Sequence, residues 1–327
     1  MRLPAVEKRL GLGVGLDLPW GAPIGMARDA RRGDHVTDRV ISFLEAHSDA
    51  FSYLFASWQP KSRARLDAAD YFQAYDDLFG RAPRFRQRAL HQTSFDLGAM
   101  ERYDRAPIID FTNALIDRYQ LAWVNEDLGL WSIRGRPLPY PLPPYLTRAG
   151  LSAAIRNTSE VQRRLAAPLL VEFPGFTEGA SFFIGTMHAY DFFREVVEES
   201  GSPATLDVGH LLSYQWLRGK RDKALFEDLD LLPTKSCFEI HLSGCQVVDG
   251  RFMDFHHGLL LDEQLELLQL LLARCPNLRA ITYEDPRFDA GGNLLRKTVP
   301  SFERLRRIAD RWAGRVEEPA WPREACA

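Results

Sequence analysis

The chain has 327 residues, 46% of them hydrophobic and 26% charged, and a net charge of -3, which excludes bulk attraction to nucleic acid or to an anionic membrane as the basis of function. No stretch approaches about 18 uninterrupted apolar residues, so no membrane span is expected. The N-terminal MRLPAVEKRLGLGVGLDL lacks the core and cleavage site of a signal peptide, and the cysteines (Cys237, Cys245, Cys275, Cys326) form no CxxC pair, so a reducing, cytoplasmic setting is expected.

Eight short runs rich in Val, Ile, Leu, Phe and Tyr read as strands, at 11–18, 51–57, 88–95, 121–128, 168–174, 204–210, 236–244 and 278–286. Most do not alternate strictly between apolar and polar, which suits parallel strands covered on both faces. Helical periodicity fills the gaps. DHVTDRVISFLEAH gathers Val36, Val40, Phe43 and Leu44 on one face, and DFTNALIDRY gathers Phe111, Ala114, Leu115 and Ile116. LDEQLELLQLLLARC opens on Asp262 and Glu263 and closes on Arg274, the charge order a helix dipole prefers. SFERLRRIADRWAG reads as a helix capped by Ser301 and stopped by Gly314. PLPYPLPPYL at 137–146 reads as an extended loop at the rim.

Strand and helix alternating about eight times predict a single-domain α/β fold, a TIM (β/α)8 barrel over residues 1–313 with a tail at 314–327. An open doubly wound sheet is the alternative, but the glycines of GLGVGLDL lack GxGxxG spacing.

In such a barrel the active site lies at the C-terminal ends of the strands. Six runs end in side chains suited to a metal: RALHQTSF at His91, LAWVNEDL at Glu126, PLLVEFP at Glu172, ATLDVGH at Asp207 and His210, SCFEIHLSG at His241 and LRAITYEDP at Glu284. The loop after strand seven, GRFMDFHHGLL, adds Asp254, His256 and His257. Mixed carboxylates and imidazoles without a thiolate pair suit iron, manganese or zinc. Their number exceeds the needs of one ion, so a bridged site of two or three is expected, with a carboxylate such as Glu126 or Glu172 shared. Singly, each has a plainer reading: His91 as a hydrogen-bonded core histidine, Glu126 and Asp127 as a helix-cap pair, Glu172 as a buried ion-pair partner, Asp207 and His210 as a strand-end hydrogen bond, Glu284 and Asp285 as partners of Arg287. Ser94 and Ser243 lack the GxSxG elbow of a serine hydrolase. Cys245 reads as a small buried hydrophobe, with nucleophile or thiol ligand as alternatives.

ALHQTSFDLG, VNEDLGLWS followed by PLPYPLP, LLVEFPG, TLDVGHLL, EIHLSG, MDFHHG and ITYEDP resemble, in order, the strand-end motifs of the multinuclear non-haem iron-dependent oxidative enzymes, relatives of methanobactin biosynthesis protein B. The resemblance covers residues 88–290. It implies a TIM-barrel oxidoreductase that uses two or three irons and dioxygen to modify a ribosomally made precursor peptide at cysteine, in natural product biosynthesis. A small leader-recognition partner protein is often involved. Carried over by motif, it implies His91, Glu126, Glu172, Asp207, His210, His241, Asp254, His256 and Glu284 as ligands, with Asp254, His256 and Glu172 closest to the chemistry. The chain departs from the family at strand two, which reads FASWQP, and at Asp127, Phe173 and Cys245, where the family carries His, Asn and His. Two other readings stand beside it. One is a divalent-metal sugar isomerase, epimerase or phosphodiesterase on the same barrel, and the other is a non-catalytic barrel that binds a peptide or partner.

Overall fold

The computed structural model describes residues 1–17, 34–54, 72, 76, 85–134, 136–177, 181–256, 258–284, 286–289 and 291–315. Eight parallel strands close into a barrel: β1 (Leu12–Asp17), β2 (Ala50–Leu54), β3 (Gln87–Gln92), β4 (Trp123–Asp127), β7 (Leu169–Glu172), β8 (Ala204–Asp207), β9 (Cys237–Leu242) and β12 (Ala280–Glu284). Each pairs with its neighbour in chain order, and β12 returns to β1 to close the ring. The helices outside are α1 (Asp34–His47), α2 (Ala106–Tyr119), α3 (Arg148–Arg164), α4 (Ala189–Ser200), α5 (Val208–Leu217), α6 (Asp262–Arg274) and α7 (Val299–Trp312). Two antiparallel hairpins decorate the rim: β5 (Leu130–Ile133) with β6 (Arg136–Leu142), and β10 (Cys245–Val248) with β11 (Arg251–Asp254).

Alternation along the strands sorts the side chains. Leu90, Val124, Val171, Leu206, Ile240 and Ile281 belong to the large apolar cluster shared with the helices. Burying each such side chain contributes about 1.5–3 kcal/mol. The inward residues stack in layers. Leu10, Ala50, Ala89, Trp123, Leu170, Phe238 and Ala280 form an apolar plug at the N-terminal end of the barrel. Above it lies a buried polar layer of Asn125, Thr205, Glu239 and Thr282, and above that, at the strand ends, the acids and histidines. The polar layer is tolerable because its members bond one another. Glycines on β1 leave room for it: a Cβ at Gly13 would sit 3.0 Å from Thr282 Oγ1.

All eight expected strands are present, and α1 matches its expected span. The structure differs elsewhere. His210 lies in the first turn of α5, not on a strand, because Asp207 ends β8 and caps that helix through a 2.7 Å bond to His210 N. PLPYPL pairs with β5 instead of forming a loop, since β6 is an edge strand whose prolines need give no ladder hydrogen bond on the open side. The loop expected after strand seven holds the β10–β11 hairpin. Thr298, not Ser301, precedes α7, and Ser301 Oγ accepts from Leu260 N instead. Arg315, at the start of the expected tail, pairs with Asp49, and residues 316–327 lie outside the described residues. So do FASWQP, His257 and Asp285. No helix of the described residues is long and apolar enough to cross a membrane.

Candidate metal centre

Six strands bring carboxylates and imidazoles to one end of the barrel. His91, Asp127, Glu172, Asp207, His241 and Glu284 are inward residues one layer above Asn125, Thr205, Glu239 and Thr282, and all are buried. α5 adds His210 and the hairpin adds Asp254 and the partly exposed His256. Among the described residues four overlapping groups have ligand atoms within 4.8 Å of one another: His91, Glu172 and His241; Glu172, Asp207, His241 and Glu284; Asp127, Glu172 and His210; and His210, Asp254 and His256. Glu172 belongs to three of the four.

The arrangement has two poles joined by Glu172. At one pole Glu172 Oε2 lies 2.8 Å from His91 Nε2 and 3.1 Å from His241 Nδ1, and Glu284 Oε1 lies 3.2 Å from the same Nδ1. At the other, Asp254 stands 3.6 Å from both His210 Nε2 and His256 Nε2. Asp127 Oδ1 and Glu172 Oε1 lie between, each 3.8 Å from His210 Nδ1. Ser243 Oγ holds Asp254 from below at 2.7 and 2.8 Å. Gly209 lets the start of α5 come this close, because a Cβ there would lie 2.7 Å from Cys245 Sγ and 3.1 Å from Asp254 Oδ2. His256 adopts a left-handed backbone (φ 46°), and Arg287 Nε donates to its carbonyl at 2.8 Å.

In two of the histidines one ring nitrogen is tied to a backbone carbonyl. His91 Nδ1 lies 3.2 Å from Gln92 O, and His210 Nδ1 lies 2.7 Å from Phe173 O. A carbonyl can only accept, so each Nδ1 carries the proton and Nε2 is left to ligate.

The electrostatics are those of buried acids and imidazoles set against one another. Burial disfavours the imidazolium of His91, but the Glu172 carboxylate outweighs it and raises the pKa to about 9. His241 is likewise raised well above its ordinary value, with Glu172, Glu284 and Glu239 overcoming burial. Asp207 is pushed up to about 7, chiefly by burial, with His210 opposing. Glu172 is held well below the carboxylate range: burial opposes ionisation, and His241 and His91 overcome it. Glu172 Oε1, Asp207 Oδ2 and His241 Nδ1 are buried without a hydrogen bond. Buried orphan atoms of ligand type, converging on one space, are what a metal site leaves when its ions are set aside. The donor set of imidazoles and carboxylates, with no thiolate in any group, fits iron.

Two outcomes differ from the sequence expectation. The structure does not bring Glu126 into any group. It shares the outward phase of Val124, and its two oxygens accept from Ser94 N and Phe95 N, each at 3.1 Å. Asp127, one residue on, occupies the inward position. The signal that separates them is strand phase, since Trp123, Asn125 and Asp127 alternate with apolar Val124. Glu239, absent from the strand-end ligands expected of the sequence, stands two residues before His241 on the same face, a spacing visible in EIH. Cys245 is buried and joins none of the groups. Glu126→Gln is expected to lower stability by about 1–3 kcal/mol, by mismatching one of the two backbone donors, and to leave metal per chain unchanged. Asp127→Asn is expected to lower metal content with little change in melting of the metal-free protein. Metal analysis beside thermal melts of both variants checks the pair.

One protein family, described as "RiPP precursor modification enzyme MbnB/TglH/ChrH", matches residues 75–297. A UPF0276 protein of Paraburkholderia phytofirmans is 29% identical over 163 residues, which is 48% of this chain and 49% of that protein. A UPF0276 protein of Rhizobium meliloti is 29% identical over 202 residues, 57% of this chain and 60% of that one. The chain thus spans about half to three fifths of these relatives' length. Among solved structures, D-psicose 3-epimerase in the presence of D-fructose superposes with a TM-score of 0.52 at 10% identity, covering 94% of this chain and 100% of that one. The catalytic domain of β-amylase from Paenibacillus polymyxa superposes with a TM-score of 0.54 at 7% identity, covering 93% and 100%. At such identities these likenesses show the barrel fold alone.

Proposed function

The chain belongs to the MbnB/TglH/ChrH family of RiPP precursor modification enzymes, and from that membership and the geometry of its strand ends we propose that it oxidises a cysteine of a ribosomally made precursor peptide with iron and dioxygen. The observation that carries the reading is the two-pole cluster bridged by Glu172, because adjoining ligand groups sharing one carboxylate suit a multinuclear site. Two or three irons would be held by His91, His241, Glu172, Asp207 and Glu284 at one pole, by His210, Asp254 and His256 at the other, and by Asp127 between them. Iron so held supplies a binding place for a substrate thiolate and, with dioxygen as oxidant, the redox capacity that no side chain here has.

The residues do the rest. Gln92 O and Phe173 O fix the tautomers of His91 and His210, and Ser243 orients Asp254. The inner pole is closed, since His241 and Glu172 are fully buried. His256 is the open member, with its side chain 26% exposed. Phe255 beside it is exposed, so a peptide would enter on the hairpin side. A small leader-recognition partner protein is part of the proposal, as is a cytoplasmic setting. The epimerase likeness supports no sugar substrate, because it carries the fold alone.

The test is anaerobic purification with iron analysis and Mössbauer spectroscopy, followed by oxygen uptake with a cysteine-bearing peptide encoded beside the gene. Two or more irons per chain, with uptake abolished by Cys→Ser in the peptide, are expected. Less than one iron per chain after anaerobic reconstitution would sink the proposal.

A further inference from the structure

His241 differs from the other two buried histidines of the cluster. Its Nδ1 faces the carboxylates of Glu172 and Glu284, and its Nε2 faces down the barrel, 3.3 Å from Glu239 Oε1. Glu239 is fully buried in the polar layer and meets four donors. Its Oε2 accepts from Trp123 Nε1 at 2.7 Å and Asn125 Nδ2 at 2.9 Å, while Oε1 accepts from Thr282 Oγ1 at 2.5 Å and faces His241. The indole N–H can only donate. Asn125 is oriented by Thr205 Oγ1, which donates to its Oδ1 at 2.8 Å, so its amide nitrogen must point at Glu239. That nitrogen also lies 3.3 Å from His241 Nε2, but Glu239 Oε2 is its shorter contact.

We propose that His241 binds the metal through Nδ1, opposite in sense to His91 and His210, and that Glu239 is the positioning residue that imposes this by holding the proton on Nε2. The inference rests on the reading of the strand ends as a metal site, but not on which metal. Nδ1 can ligate only when unprotonated, which leaves the neutral ring's proton on Nε2, where a carboxylate awaits it. A carboxylate partner also makes the imidazole a stronger donor than a carbonyl partner does. This pole of the cluster therefore has the more electron-rich histidine.

Glutamine at position 239 cannot reproduce this. Its amide has one accepting and one donating end, yet all four neighbours donate as arranged. Turning the amide nitrogen toward Thr282 and His241 is the accommodation that spares the indole and Asn125, since the threonine hydroxyl can rotate to accept. It forces Nε2 to become the acceptor and moves the proton to Nδ1, onto the ligand atom.

The probe is zinc, loaded into protein carrying 15N-labelled histidine. In the wild type, one imidazole is expected to show a metal-shifted Nδ1 with a protonated Nε2, and His91 and His210 the reverse. Glu239→Gln is expected to weaken zinc and iron(II) binding about 10–100-fold and to erase the Nδ1-bound signal, and Glu239→Asp to restore part of both. A merely structural role would lower the melting temperature without changing which nitrogen is metallated. If wild-type His241 is bound through Nε2, or if Glu239→Gln binds both metals as the wild type does, the inference is overturned. Should Glu239→Gln fail to fold, the wild-type spectrum decides alone. The zinc spectrum reads the tautomer whether or not iron and dioxygen are the natural reactants, so the inference and the proposed function can fail separately.

Discussion

Glu172→Gln is expected to empty both poles of the cluster and abolish turnover, whereas His256→Ala is expected to cost at most one ion. Glu172 is the shared member of three candidate groups, with Oε2 at the His91 and His241 nitrogens and Oε1 toward His210. No other acid among the described residues belongs to more than one of the groups. The same substitution removes the carboxylate that keeps two buried imidazoles charged. His91 would then lose the interaction that raises its pKa to about 9, and burial would drive it toward neutrality. Breaking a buried pair of this kind costs about 3–5 kcal/mol, so the metal-free variant should also melt earlier than the metal-free wild type. His256 is partly exposed and sits at one end of the cluster, so its loss should be local. Iron per chain, with melts of metal-free protein, separates the two variants. A Glu172→Gln protein with wild-type iron content would remove Glu172 from its bridging position.

The barrel was legible because apolar continuity and helical periodicity repeat eight times, and because parallel strands covered on both faces leave that mark. The rim was legible as chemistry because strands such as LLVE and CFEIHL end their apolar runs in groups that cannot be buried cheaply. What sequence left ambiguous was phase. In WVNED two acids are adjacent, and only the inward register of Trp123 and Asn125 decides that Asp127 faces the cluster while Glu126 turns out to cap the Ser94–Phe95 turn. Asp207 shows the opposite case: the plain reading and the metal reading hold together, since Oδ1 caps α5 while Oδ2 is left without a hydrogen bond. The polar layer was hidden because its members are ordinary residues whose roles appear only across the barrel. Trp123, Asn125, Glu239 and Thr282 come from three different strands. No local pattern announces that four donors will meet one carboxylate.

Chelation is expected to lower the melting temperature by roughly 10–20 °C, taking about 4 kcal/mol for each of two ions bound near a thousandfold above Kd. The reason lies in the charge of the cluster. Asp127, Glu172, Asp207, Glu239, Asp254 and Glu284 crowd against His91, His210, His241 and His256, so even four imidazolium ions would leave an excess of acid. Metal-free protein relieves this by binding protons. Asp207, raised to about 7, holds a proton in the folded state that it lacks in the unfolded chain between its ordinary value of 3.8 and about 7. Its contribution therefore falls as pH rises through that window. His91 acts in the same sense. Its pairing with Glu172 contributes fully below 6.5 and is lost as pH rises through about 9. Metal binding must displace these protons, so it strengthens with pH while the metal-free fold weakens. The gap between loaded and chelated melting temperatures should widen steadily from pH 6 to pH 9, and proton release on loading should appear as a dependence of binding heat on buffer ionisation. A gap that is flat or narrows over that range would mean that the ions are not held where Asp207 and His91 stand.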